Sequence, residues 1–386
     1  MENFDYSLKS DILFGKDRIN ELPALMSSYG DNVLFVHDGT SIKSTGLYQK
    51  VLDLFGDYHV YEVGNVKSNP KIDSVREGVE ICKANNVEIV LAVGGGSVLD
   101  CAKAIALGAC YDGDVWDLVT MKDNTDKGLP IFAVMTLAAS GSELGDGSVI
   151  SNPETNEKIG FVHPAMRPTA VIMDPAYTIT VPALHTAAGS ADILSHLFET
   201  YFTSEDTYLT NLLLESVIKT VIHYAPIAYK EPDNIEARGQ LMWASSLANN
   251  GILTLGSTVY AFSVHGIEHE ISAYHDIIHG VGISIVTPQW MKYILNDKTV
   301  DKFARFGKEV WGIDPSLDNF SIANKAIECV EEFYKSLDLP LNLKEVSVDN
   351  RYFDKIAEQA VQYGYLEYAW VPLNKDDVIN ILNNCL

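Results

Sequence analysis

The chain has 386 residues, 47% of them hydrophobic and 21% charged, and a formal net charge of −24 at pH 7. That length favours two domains or one large one, and the composition is globular rather than disordered. The negative charge repels nucleic acid and anionic lipid, so neither is expected as a partner.

The N-terminal stretch lacks a basic segment followed by an apolar core, so no signal peptide is read there. No run of about 18 apolar residues predicts a membrane span. The five cysteines (Cys82, Cys101, Cys110, Cys329, Cys385) are scattered and odd in number. They form neither a disulfide framework nor a cysteine–zinc pattern, so a reducing cytoplasm is expected.

In chain order, residues 32–37 (NVLFVH) read as a buried strand, 41–55 as a helix closed by Gly56, and 58–63 as a second strand. Pro70 marks a helix start, with Ile72, Val75, Val79 and Cys82 at helical spacing. Residues 88–93 (EIVLAV), 131–135 and 170–173 read as further buried strands. This alternation predicts a parallel sheet with helices on both faces. From about Ala183 the pattern turns helical: 188–202, 208–229, 235–253 and onward to Leu386. The expected division is an α/β domain over 1–182 and an all-α domain over 183–386; the motifs and the resemblance given below imply that the first is a dinucleotide-binding domain, Rossmann-like without its usual glycine fingerprint.

Gly94-Gly95-Gly96-Ser97 follows the strand EIVLAV and opens a helix predicted over 98–107. Glycines let a ligand approach the backbone, and the N–H groups and dipole of a helix start favour an anion. Ser97 and Asp100 have capping-box spacing. A tight turn is the plainer alternative, but three glycines exceed what a turn needs. The motif is neither G-x-G-x-x-G nor a Walker loop. A second stretch, TLAASGSE from Thr136 to Glu143, follows another strand; rich in hydroxyls (Thr136, Ser140) and small residues, it suits contacts to ribose or phosphate, with a plain loop the alternative. Lys158 is a candidate screen for cofactor phosphates, against its ordinary reading as a solvated lysine. Asp38 ends the strand NVLFVH, at the strand terminus where open α/β sheets bind ligands. A carboxylate there accepts from ribose hydroxyls and repels the extra phosphate of NADP. Each unit-charge pair at about 4 Å is worth roughly 4 kcal/mol at an effective dielectric of about 20, before screening.

Four histidines crowd a short segment: His265, His269, His275 and His279. Upstream, Asp192 and His196 stand one helical turn apart, on one helix face. An aspartate with three histidines suits a borderline divalent cation such as Fe²⁺ or Zn²⁺, but spacing leaves open which three. A rival lies in the same stretch, because His265-Gly266-Ile267-Glu268-His269 fits the H-x-x-E-H pattern of zinc peptidases.

Taken together the motifs resemble the iron-containing (group III) alcohol dehydrogenases, most closely their butanol dehydrogenase branch. VGGGSVLDCAKAIA, TLAASGSE, ISNPETNEKIG, AAGSADILSHLFETYF, MWASSLANNG and VHGIEHEISAYHDIIHG carry the resemblance along essentially the whole chain. It implies one metal held by Asp192, His196, His265 and His279. It implies a pyrophosphate lined by Gly95, Gly96 and Ser97, and further cofactor contacts from Asp38, Asn69, Thr136, Ser140 and Lys158. Gly94, Asp100 and Leu137, inside the same motifs, join the candidate cofactor residues. His269 is expected near nicotinamide and metal as a non-ligand that relays a proton, and His275 to be structural or exposed. One departure stands out. This chain has His37-Asp38-Gly39-Thr40 where the branch carries a glycine-rich run, which favours NAD, while Lys43 keeps NADP possible.

The expected chemistry is hydride transfer between a short-chain primary alcohol or aldehyde and the nicotinamide, with the metal as Lewis acid and the site between the two halves. Trp243, Leu253, Tyr260 and Phe262 are candidates for an alkyl pocket, with helix core the stronger alternative. A glycerol or polyol dehydrogenase of the same fold is the second reading, the peptidase a third. The family resemblance also implies a homodimer.

Overall fold

Strands buried on both faces read as continuous apolar runs; four such strands form the centre of one six-stranded parallel sheet in the α/β part of the chain, with a less buried strand at each edge. The computed structural model describes residues 2–202, 207–258 and 260–386. The chain divides into two compact units, Ser7–Val181 and a second unit of Pro182–Leu386 with the N-terminal residues up to Tyr6. The main-chain N–H of Glu2 donates to the Gly256 carbonyl at 2.9 Å, which ties the N-terminus to the second unit rather than to the α/β unit expected from residue 1.

The α/β unit contains β1 (Asp11–Phe14), α1 (Leu22–Met26), β2 (Asn32–His37), α2 (Thr40–Ser44), α3 (Leu47–Phe55), β3 (His59–Val63), α4 (Ile72–Asn85), β4 (Ile89–Gly94), α5 (Gly96–Gly108), α6 (Val115–Val119), β5 (Ile131–Met135), β6 (Gly147–Asn152), β7 (Glu157–Val162) and β8 (Ala170–Met173). The sheet order is β1-β8-β5-β4-β2-β3, and every pairing in it is parallel. Alternate strand residues (Val33, Phe35, Leu91, Val93, Phe132, Val134, Ile172) pack with Leu22, Met26, Leu47, Val51 and Phe55 of α1 and α3. The intervening set (Leu34, Val36, Val90, Ala92, Ala133, Val171) is equally buried, and α4 and α5 cover that face. From β2 the chain moves outward to β3, then returns to place β4 on the other side of β2. The carboxyl ends of β2 and β4 therefore flank the reversal of strand order, where open sheets of this kind take ligands.

Two expectations need correction. The helix expected over 41–55 is broken into α2 and α3, because Gly46 takes a left-handed conformation at φ 79° and restarts the chain as the cap of α3. Ser97 and Asp100 form no capping box: α5 begins at Gly96 with Gly95 as its cap residue, so both lie inside the helix. The antiparallel hairpin β6–β7 was not anticipated.

The second unit contains α7 (Ala183–Tyr201), α8 (Tyr208–Lys230), α9 (Ile235–Ala248), α10 (Ser263–His275), α11 (His279–Ile294), α12 (Val300–Trp311), α13 (Asn319–Ser336), α14 (Phe353–Tyr363) and α15 (Lys375–Asn384). From Thr186 to Tyr201 every residue of α7 is buried. A helix enclosed on all sides is the centre of its unit, with α8, α9, α10 and α11 packed on it. Among the described residues no helix is long and apolar enough to cross a membrane.

Candidate metal centre and cofactor seat

None of Gly94, Gly95 and Gly96 has a positive φ, so the glycine run is there for space rather than for an unusual turn. A Cβ on Gly94 would stand 2.6 Å from Val98 Cγ2, one on Gly95 3.3 Å from Leu137, and one on Gly96 would collide with Ser140 Oγ. Thr136 N–H donates to the Gly94 carbonyl at 3.0 Å. The bare turn thus lets the strip after β5 lie directly on the start of α5, which carries no side-chain cap. Such a turn presents the bare N–H groups of a helix start, which suit an anion such as pyrophosphate, with Val98, Leu137 and Ser140 packed close around its glycines.

Asp38 follows β2 at the neighbouring strand end. One of its oxygens accepts from Ser41 Oγ, while Oδ1 is buried with no hydrogen-bond partner. Asn69 is buried with φ 50°. Lys158 lies on β7 with only 4% exposure, so it is not the solvated lysine of its plainer reading.

Asp100, also expected among the cofactor residues, is tied to the strip after β5 and to β6. It accepts from Ser142 Oγ at 2.7 Å and from Val149 N–H at 3.0 Å. Burial pushes its carboxyl upward, against the pull of Lys103, Ser142 and Val149. Lys103, which the sequence reading missed, has 0% exposure and donates to Ser142 O, Ser142 Oγ, Gly145 O and Gly147 O at 2.7–2.9 Å. Burial pushes this ammonium down to about 8, while Asp100, Glu143 and Asp146 pull it up. Asp100 and Lys103 therefore brace the strip that carries Ser140.

In the helical unit α7 carries Asp192, His196 and Glu199 at i, i+4 and i+7, one face of one helix. α10 supplies His265, and α11 opens with His279. Ligand atoms of Asp192, His265 and His279 lie within 4.8 Å of one another. Asp192 Oδ1 is 3.4 Å from His265 Nε2 and 3.4 Å from His279 Nε2, yet Oδ1 and His265 Nε2 are both buried without a hydrogen-bond partner. Polar atoms facing each other unpaired in a dry site are costly unless something joins them. One carboxylate and several imidazoles suit a borderline divalent cation.

His196 stands beside this trio, its ring centroid 4.3 Å from that of His265. Its Nδ1 meets the Asp192 main-chain oxygen at 2.9 Å, and its Nε2 meets Asn249 Nδ2 at 3.3 Å. Burial and the neighbouring His265 push the His196 imidazole down to about 4, although Asp192 pulls it up. Burial opposes ionisation of Asp192, but His196, His279 and His265 outweigh it and hold the carboxyl well below its ordinary range.

His269 lies one turn beyond His265, its ring centroid 6.1 Å from His265 and 5.3 Å from His279. His275 ends α10 against Tyr352, at 5.8 Å between ring centroids. Phe262 sits 5.6 Å from the His265 ring and Leu253 is buried, whereas Trp243 is 38% exposed and so is not core. Glu199 and Glu268 escaped the sequence reading as partners of the cluster. Glu199 Oε1 is 2.5 Å from His265 Nδ1, and the buried Glu268 bonds His279 Nδ1 and Ser272 Oγ. Committed to these two groups, Glu268 does not serve as the water-activating base of the peptidase alternative.

A doubly covered parallel sheet with a backbone seat, and a carboxylate–imidazole cluster on buried helices, are parts of the kind metal-dependent dehydrogenases use. Comparison with known proteins gives the family. Residues 9–175 match "Iron-containing alcohol dehydrogenase", and 186–386 match "Fe-containing alcohol dehydrogenase family, C-terminal". The chain is 46% identical to NADH-dependent butanol dehydrogenase A of Clostridium acetobutylicum over 99% of both chains. It is 32% identical to the NADPH-dependent aldehyde reductase YqhD of Escherichia coli over 94% of both. The crystal structure of NADH-dependent butanol dehydrogenase A from Thermotoga maritima superposes with a TM-score of 0.95 at 36% identity, covering 100% of this chain and 99% of that one. This protein belongs to the iron-containing alcohol dehydrogenase family and is an NAD(P)-dependent oxidoreductase of alcohols and aldehydes.

Proposed function

We propose that this chain interconverts short-chain primary alcohols and aldehydes of the butanol–butanal kind with NADH. In this reading Asp192, His196, His265 and His279 hold one divalent ion, Fe²⁺ or Zn²⁺. The observation that carries it is the unpaired, buried Asp192 Oδ1 and His265 Nε2 facing each other at 3.4 Å. When bound, a divalent ion supplies Lewis acidity to the substrate oxygen and lowers the hydroxyl pKa. The low carboxyl of Asp192 keeps that ligand charged, and burial keeps His196 neutral, the form in which imidazole binds metal. His269, close to His279 but outside the trio with Asp192, is assigned to carry the proton between substrate and solvent. The Gly94–Ser97 turn seats the cofactor pyrophosphate, with Thr136, Leu137 and Ser140 beside it. Asp38, with one oxygen free to accept, takes the adenosine ribose and disfavours NADP. A homodimer is the expected assembly, carried by the family resemblance and to be read from sedimentation.

The test is metal analysis of the purified protein, followed by assays with butanal, 1-butanol and glycerol against NADH and NADPH. The expected result is close to one ion per chain and the highest kcat/KM with butanal and NADH. Full activity in metal-free protein would remove the metal reading. A preference for glycerol would favour the polyol alternative.

A further inference from the structure

We infer that Glu199 and Glu268 are positioning residues: each fixes which ring nitrogen of a histidine faces the ion, and together they set how tightly the ion is held. The inference rests on the metal reading above.

A neutral imidazole has one N–H and one lone pair, and the partner of the N–H decides which nitrogen is left to bind. A carboxylate only accepts, so a ring nitrogen bonded to it must be the donor. For His265 that nitrogen is Nδ1, 2.5 Å from Glu199 Oε1, while Nε2 faces Asp192 Oδ1 at 3.4 Å. For His279 it is again Nδ1, bonded to Glu268, with Nε2 facing the same oxygen at 3.4 Å. His196 likewise has Nδ1 on an acceptor, the Asp192 carbonyl at 2.9 Å, while its Nε2 meets Asn249 Nδ2 at 3.3 Å.

The two carboxylates are themselves built in. Glu199 accepts from Ser195 Oγ at 3.0 Å and from Val264 N–H at 2.7 Å. Val264 is the second residue of α10, a helix with no side-chain cap of its own at Phe262. Glu199 therefore caps α10 from α7 and locks His265 in place relative to Asp192. Glu268 accepts from Ser272 Oγ, and its stem runs along α11, where a Cβ on Gly282 would come within 2.6 Å of Glu268 Cγ. Glu199 is 6% exposed and Glu268 0%. Filling these spaces needs no charge, and burying one is costly unless it has a charged or donating partner to answer it.

The test uses full-length enzyme loaded with Zn²⁺, comparing wild type with Glu268→Gln, Glu268→Leu and Glu199→Gln. Zinc affinity is measured by competition with a chromophoric chelator, and thermal unfolding of each metal-free form reports on folding. Glutamine keeps an acceptor oxygen but loses the charge, whereas leucine loses both. The expected losses of affinity are about 10-fold for the glutamine variants and approaching about 100-fold for Glu268→Leu. Metal-free Glu268→Gln is expected to unfold within a few degrees of metal-free wild type, and excess Zn²⁺ to restore the zinc occupancy of the variants. Glutamine variants that hold Zn²⁺ as tightly as wild type overturn the assignment. A wild type that retains no ion overturns the metal reading itself, which is a separate and recognisable result.

Discussion

Replacing Gly280 by alanine tests the packing that sets the metal cluster. Gly280 is the second residue of α11, beside His279. An added Cβ would stand 2.5 Å from the Ala188 carbonyl carbon and 2.9 Å from its Cα, and closer still to its oxygen. These are main-chain atoms of the buried helix α7, so nothing can swing aside. Restoring ordinary contact needs the start of α11 to retreat by about 1 Å. Ala188 lies one helical turn before Asp192, so the retreat falls on the 3.4 Å Asp192–His279 pair. Ligand distances in a metal site are held to about 0.2 Å. Overpacking of this kind costs about 1–3 kcal/mol, a fall in Tm of about 2–12 °C for a unit of this size. Calorimetry and metal stoichiometry measure both effects. The expected Gly280→Ala protein unfolds earlier and carries less than half the metal of wild type. A control is Gly147→Ala in β6, where a Cβ meets nothing closer than 3.7 Å and little change is expected. Wild-type Tm and full metal content in Gly280→Ala would refute the reasoning.

Lys103→Met leaves the carbonyls of Ser142, Gly145 and Gly147 without their buried donor and Asp100 without its neighbouring positive charge, for a cost of about 3–5 kcal/mol. Urea unfolding is expected to show this loss together with weaker NADH binding, and a change under about 1 kcal/mol would contradict the bracing role. Asp38→Gly is expected to lower the NADH-to-NADPH ratio of kcat/KM by about tenfold or more, equivalent to about 1.4 kcal/mol. An unchanged ratio removes the reason for assigning NAD. Burial pushes the thiols of Cys82 and Cys385 up to about 12 and that of Cys101 higher still. Thiolate is the reactive form, so native protein near pH 8 should titrate only Cys110 and Cys329, and denatured protein all five. Four reactive thiols in the native protein would show the burial to be wrong.

The sheet was legible where burial on both faces made continuous apolar runs, as in β2, β4, β5 and β8. β1 is only four residues and starts with Asp11, and the β6–β7 hairpin mixes polar and apolar residues around Pro153, so neither announced itself. Helix boundaries failed where a glycine acted in an unexpected role: Gly46 as a left-handed break, Gly95 as a cap in place of Ser97. The i, i+4 spacing sets Asp192 with His196 and His265 with His269 on common helix faces because that periodicity is local, but the trio Asp192, His265 and His279 comes from three helices, and no spacing selects it. The roles of Glu199, Glu268, Asp100 and Lys103 depend on contacts between separate elements. A charged residue on a helix pattern reads as solvated until its burial is known.

The enclosure of α7 also tells a protein engineer where not to work. Asp192, His196 and Glu199 share a helix that touches solvent almost nowhere between Thr186 and Tyr201, so retuning the catalyst from that side disturbs the heart of its fold. Asn249 and Phe262, which meet the His196 ring from a less enclosed stretch of chain, can be varied with less disturbance of that helix.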